Sequence, residues 1–181
     1  AGALAWADAV HYGPHGQIDV AEWDVDVLLC SPYKFFGPHL GMAFGKRELL
    51  DSWQPYKVRP AADDPVGHRF ELGTQSHEAV AGFVAAVDYL ASLGSGLDRR
   101  SRLDSAFTAI QRHEEELTRR FLIGAGAIPG VRIHGIDDPE RVQERTRTFC
   151  LTVSGEAPRA VAEHLALRGD RVGGVTVFDP D

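Results

Sequence analysis

Two near-continuous apolar runs, AGALAWADAV at residues 1–10 and WDVDVLLCS at 23–31, decide what kind of sheet this chain can build. A strand with one wet face alternates polar and apolar side chains. These runs hardly alternate, which suits strands covered on both faces in a parallel sheet. Each run then stops in a polar cluster. The first gives way to Asp8, His11 and the Gly13–Pro14 step, the second to Ser31, Tyr33 and Lys34, with Pro32 closing the strand because it has no N–H to donate. In an open parallel sheet ligands bind where the carboxyl ends of strands emerge together, so both clusters are candidate site residues. Residues three apart on a regular strand point to opposite faces. Asp8 and His11 can therefore share a ligand only if the first strand ends near Ala9 or Val10 and the chain turns.

The remaining pattern is α/β. GMAFGKRELL gives a short third strand around Met42–Phe44 and a turn into Glu48, Leu49 and Leu50, and residues 51–73, rich in Pro, Asp and Gly, read as an irregular connection. Val80, Phe83, Val84, Val87 and Leu90 recur at helical spacing until Gly94 stops the run. A second helix carries Leu103, Phe107, Ile110, Leu117 and Phe121 on one stripe, with Glu115–Arg119 and Glu116–Arg120 as exposed pairs four apart. Beyond it lie a strand near Val131–Ile136, a charged hairpin or loop, an alternating strand in TFCLTVSG, a helix from Pro158 to just before Gly169, and a last strand in GVTVF. The order strand, strand, helix, strand suggests a small α+β layer of its own.

Composition narrows the function classes. A chain of 181 residues that is 44% apolar can bury a real core. Its net charge of −7 argues against nucleic acid, whose phosphates are held by clustered Lys and Arg. The nearest basic cluster, Arg99, Arg100 and Arg102, alternates with Asp98 and Asp104 and reads as a solvated helix face. No apolar run is long enough for a membrane helix, so a soluble, cytoplasmic protein is expected. Cys30 and Cys150, inside apolar runs, are expected to be buried thiols of a reducing compartment. His11, His15 and His39 raise the question of a metal, but no cysteine or second carboxylate joins them at ligand spacing. Arg145–Thr148 reads as an exposed strand start, and the Arg-Gly-Asp at 168–170 as an ordinary helix end.

The chain has three lysines, Lys34, Lys46 and Lys57, and Lys34 lies among Tyr33, Phe35 and Phe36. An amine held between rings is partly desolvated, which favours the neutral form that attacks an aldehyde. The alternative is a lysine whose stem packs on the rings while its head reaches water. Further on, Gly73–Thr74 precedes the first long helix, where a hydroxyl and free N–H groups make either a phosphate site or a plain helix cap. A carboxylate, a histidine, a serine, a lysine among aromatics and a Gly-Thr helix start together match one cofactor, pyridoxal 5'-phosphate.

DAVH, then SPYKFFGPHLG, then FELGTQ, in that order, resembles the class V aminotransferase family of fold-type I enzymes that use this cofactor, nearest to its cysteine desulfurase-like members. The resemblance implies a large domain with a mostly parallel sheet and a small C-terminal α+β domain. Residues 1–95 would be the C-terminal part of the cofactor-binding large domain, and 96–181 a linking helix and the incomplete small domain. It implies that Lys34 forms a Schiff base with the cofactor and that Asp8 meets the pyridine nitrogen. His11 would lie beside the phenolic oxygen, with Ser31, and less directly Tyr33, at the phosphate. Thr74 would reach the phosphate in a partner subunit's site, which implies a homodimer. The substrate would be an amino acid, a small molecule. Desulfuration, transamination, lyase and epimerase chemistry all remain open, because neither cysteine sits in a mobile loop. The competing reading is a non-catalytic fragment or scaffold relic that does not bind the cofactor productively.

Overall fold

The computed structural model describes residues 2–167. The chain separates into two compact units, residues 1–111 and 112–181, dividing within one long helix.

In the first unit three strands, β1 (Trp6–Asp8), β2 (Val27–Cys30) and β3 (Met42–Gly45), form one sheet in that order. β1 and β2 are parallel with Trp6, Ala7 and Asp8 opposite Val27, Leu28 and Leu29; β2 and β3 are antiparallel, Leu28 facing Phe44 and Cys30 facing Met42. The expectation of a mostly parallel sheet therefore holds for one pair of two. The stretch from β2 to β3 holds only a short turn and loop, and without a crossover element a following strand returns antiparallel.

The strands are shorter than the apolar runs. Asp24 takes a left-handed backbone (φ 49°) that breaks the second run, and the Asp26 carboxylate accepts a bond from the Ala5 N–H at 2.8 Å, pinning the start of β1 beside β2. Lys46 fastens the same corner, 2.7 Å from Asp24 and 3.0 Å from Asp26.

Among the described residues one face of this sheet packs on helices, and on the other Val27 alone is buried, at 5% exposure. Ala7, Ala9, Leu28 and Cys30, with Met42 and Phe44, pack against Phe83 and Leu90 of α2 (His77–Ser92) and Leu103, Phe107 and Ile110 of α3 (Arg99–Gly126). Burying a side chain such as Leu28 contributes about 2 kcal/mol. On the opposite face Trp6 is 58% exposed, Asp8, Leu29 and Ala43 are exposed, and Trp6 stacks on Trp53 at 6.0 Å. The expectation of cover on both faces is corrected accordingly for the described residues. Gly94 ends α2 as expected, yet for a packing reason: a Cβ there would lie 2.1 Å from the Arg102 carbonyl oxygen of α3. The arginines at the start of α3 are engaged in ion pairs, Arg99 with Asp88 at 3.0 Å and Arg100 with Asp19 at 2.8 Å. A short α1 (Arg47–Ser52) follows β3, and residues 53–76 are irregular apart from one turn of 3₁₀ helix at His68–Phe70.

In the second unit β4 (Val131–His134) and β5 (Cys150–Val153) form an antiparallel ladder, followed by α4 (Pro158–Leu167). Its core gathers Leu122, Ala125, Ile133 and Val142. The apolar stripe read for α3 fails in this half. Leu117 is exposed and Thr118 and Leu122 are buried in its place. Glu115 faces Arg147 at 4.0 Å instead of pairing with Arg119, and Glu116–Arg120 is not among the described ion pairs. Arg147 also lies 3.4 Å from Glu114, while Arg145 spreads over the Phe149 ring at 4.4 Å and donates to the Thr148 carbonyl. The 145–148 stretch is thus a half-buried fastening, not an exposed strand start. Cys30 is buried as expected, but Cys150 is exposed, because the β4–β5 ladder covers only the face that bears Ile133. Gly169, the Arg-Gly-Asp at 168–170 and the GVTVF strand lie outside the described residues.

Candidate active site

Because β1 and β2 are parallel and in register, their carboxyl ends leave the sheet at the same edge. β1 ends at Asp8, and the chain turns at once through Val10–Gly16, as the sharing of a ligand by Asp8 and His11 requires. The Asp8 carboxylate is exposed and accepts one bond from the Val10 N–H at 2.9 Å, which shapes that turn. His11 is exposed in the turn, its ring edge-on to His15 with centroids 5.2 Å apart.

β2 ends one residue before Ser31, and Pro32–Phe35 then forms a single 3₁₀ turn. Three residues per turn put positions 32 and 35 on the same side. Both are apolar and both are buried, Phe35 lying edge-on to Phe83 at 6.1 Å. Tyr33 and Lys34 are left facing outward. Bonds from the Lys34 N–H to the Ser31 carbonyl at 3.0 Å and from the Gly37 N–H to the Pro32 carbonyl at 2.9 Å close the turn. Gly37 is required there: a Cβ would lie 2.8 Å from the Pro32 side chain. Phe36 takes a left-handed backbone (φ 68°) and turns its ring outward against Tyr89 at 5.3 Å.

The two polar turns touch through Phe35. A Cβ on Gly13 would lie 3.2 Å from the Phe35 ring, so the glycine lets the His11 turn lie directly on the Lys34 turn. Asp8, His11, Ser31, Tyr33 and Lys34 are thereby gathered at one sheet edge. Of the two environments considered for Lys34, the open one is found: it is exposed, and Tyr33 alone of its ring neighbours is described near its amine, at 5.3 Å. Lys46 and Lys57 are committed elsewhere, Lys46 to Asp24 and Asp26, Lys57 to Asp63 and the carbonyls of its own loop. Among the described residues Lys34 alone of the three lysines makes no ion pair. Ser31 is the residue ahead of the turn, and its hydroxyl makes no capping bond.

Thr74 sits apart from this cluster in sequence and in surroundings. It lines a cleft of about 320 Å³ with Val58, Ala62, His68 and Glu71. Ser76 precedes α2 without capping it; Glu78's own N–H and then the Ser76 hydroxyl hold the Glu78 carboxyl below the usual range. The sequence reading missed the inward anchors Pro32 and Phe35 and the stacking of His39 on Tyr33 at 5.1 Å. The three-residue spacing of Pro32 and Phe35 was the available signal for the anchors. No group of three or more side chains suited to a metal is found among the described residues, and none of their helices is long and apolar enough to cross a membrane.

A family model for class-V aminotransferases matches residues 1–172. The chain belongs to the class-V aminotransferase family. Similar proteins include a probable cysteine desulfurase of Streptomyces coelicolor, 28% identical over an alignment of 179 residues that covers 93% of this chain and 39% of that protein. Another, from Synechocystis, is 32% identical over 146 residues, 75% of this chain and 32% of its own length. The chain thus spans about two fifths or less of these relatives. In fold, it matches the apo structure of a cysteine desulfurase from Thermococcus onnurineus with a TM-score of 0.73 at 22% identity, over 92% of this chain and 41% of that one. A cysteine desulfurase from Escherichia coli matches with a TM-score of 0.64 at 21% identity, covering 93% and 40%. The fold of this class-V chain is therefore similar to that of about two fifths of each of these cysteine desulfurase chains.

Proposed function

We propose that the chain is part of an enzyme that uses pyridoxal 5'-phosphate to act on an amino acid, with Lys34 as the covalent anchor. The observation that carries this reading is that the parallel strands β1 and β2 end at one sheet edge, β1 at the Asp8 carboxylate and β2 ahead of the turn bearing Lys34, an amine with no ion pair among the described residues. The donor set suits the cofactor: a primary amine for its aldehyde, a carboxylate for its ring nitrogen, and the hydroxyls of Ser31 and Tyr33 for its phosphate. When bound, pyridoxal phosphate supplies an electrophilic aldehyde and a ring that withdraws electrons from the substrate's α-carbon.

The chain's own residues then have distinct tasks. Asp8, oriented by the Val10 N–H, would hold a proton at the ring nitrogen. Lys34 would be the group that takes and returns the substrate's α-proton. His11 would lie beside the ring's phenolic oxygen. Thr74 would reach the phosphate in a partner subunit's site, and the working form would be a homodimer, placed in the cytoplasm. Residues 1–95 belong to the large cofactor-binding domain and 96–181 to a linking helix and small α+β domain. The named relatives make cysteine the first substrate to test. Because neither Cys30, which is buried, nor Cys150, which lies on a strand, is on a mobile loop, the step after loss of the α-proton is left to other residues.

One observation favours a second reading. Asp8, His11, Tyr33 and Lys34 are all exposed, which suits a segment that alone does not hold the cofactor productively. Equilibrium dialysis against pyridoxal phosphate separates the two. Stoichiometric binding that Lys34→Ala abolishes and Asp8→Asn weakens by about tenfold or more, the loss of one charge-assisted contact, supports the first. Binding that is absent, or unchanged in both variants, supports the second.

A further inference from the structure

We propose that His39 is a positioning residue for Lys34, acting through the ring of Tyr33; its functional consequence rests on the reading of Lys34 as the anchor. Lys34 is exposed on a flexible four-carbon stem, and an amine so placed samples many directions. Its one described restraint is the Tyr33 ring, 5.3 Å from the amine, a cation–π distance. That restraint has direction only if the ring itself is fixed. Tyr33 points outward from the 3₁₀ turn and is exposed, so the core does not hold it.

His39 supplies the missing restraint. Its ring lies against that of Tyr33 with centroids 5.1 Å apart and planes inclined by 26°, the offset-stacked arrangement aromatic pairs favour. The backbone carrying His39 is tied down independently of the stack. Gly37 is bonded to the Pro32 carbonyl, and Pro38 packs on α2 at Gly82, where a Cβ would lie 3.4 Å from its ring. The loop after the lysine thus returns along α2 and delivers a ring to the residue before the lysine. His39 was considered above only as a metal ligand; the stack gives it a different task.

Reductive methylation with ¹³C-formaldehyde places a reporter on all three lysines. The Lys34 N-methyl resonance is expected upfield of those of Lys46 and Lys57, because it lies near an aromatic ring. Tyr33→Leu moves it downfield. His39→Ala moves it in the same direction, and His39→Phe, which keeps the stack, leaves it in place. Unmoved Lys46 and Lys57 signals confirm that each variant is folded. Should His39→Ala disturb them, His39→Gln, which keeps bulk without a ring, replaces it with the same expected outcome. A Lys34 signal that responds to Tyr33→Leu but to neither His39 variant, or that shows no ring shift at the outset, overturns the proposal. Borohydride fixation of pyridoxal phosphate to unmethylated samples of the same proteins is scored separately. If wild-type protein takes no label at Lys34 the functional reading fails, while the methyl shifts still decide the role of His39.

Discussion

At residue 35 the core and the candidate site meet. Phe35 is buried against Phe83, and the Gly13 turn lies on its ring, so one side chain holds both polar turns in place. Phe35→Ala is expected to lower stability by about 3 kcal/mol, as for other buried aromatic truncations. Phe36→Ala, at a side chain 72% exposed, should cost less than about 1 kcal/mol, measured in the same urea titrations. Equal losses would mean that the turn does not divide its residues as described. The two thiols separate in the same way. Cys30 is 3% exposed and burial pushes its thiol pKa up, whereas Cys150 is exposed. An alkylating agent should modify Cys150 in native protein and Cys30 only on unfolding.

At the scale of elements, the corner joining β1, β2 and β3 is electrostatic. The Ala5 N–H and then Lys46 hold the Asp26 carboxyl below its ordinary value of 3.8. Near that value the unfolded chain takes up a proton while the folded chain resists. The stability contributed by Asp26 is therefore complete above about pH 5 and is lost as pH falls through the lowered folded-state pKa. Asp26→Asn should flatten the fall in urea midpoint between pH 5 and 2.5, and an unchanged slope would remove Asp26 from the account. Much of this level was legible in the sequence. Unbroken apolar runs and helical spacing locate the strands and helices, and Pro32 and Gly94 locate ends. The length of the strands was not legible, because Asp24 and Asp26 spend local backbone and side-chain bonds that periodicity does not register. The α3 stripe failed beyond Ile110 for a related reason: Glu114 and Glu115 answer to Arg147, some thirty positions on. At the site, residue types and order were legible in the sequence, whereas the open setting of Lys34 depends on which rings turn inward. That follows from the three-residue period of the turn, not from the ring content of the segment.

For the molecule as a whole, the class-V family match and the fold shared with cysteine desulfurases give the chain its setting, and the proposed chemistry rests on the sheet edge bearing Asp8 and Lys34. The chemistry turns on one of three amines. Incubation with one equivalent of pyridoxal phosphate, borohydride reduction and peptide mapping by mass spectrometry reads that choice directly. The account predicts the cofactor on the peptide bearing Lys34, little on those bearing Lys46 and Lys57, and loss of the label in Lys34→Ala. Label on Lys46 or Lys57 at the level of Lys34, or label that survives Lys34→Ala, would contradict it.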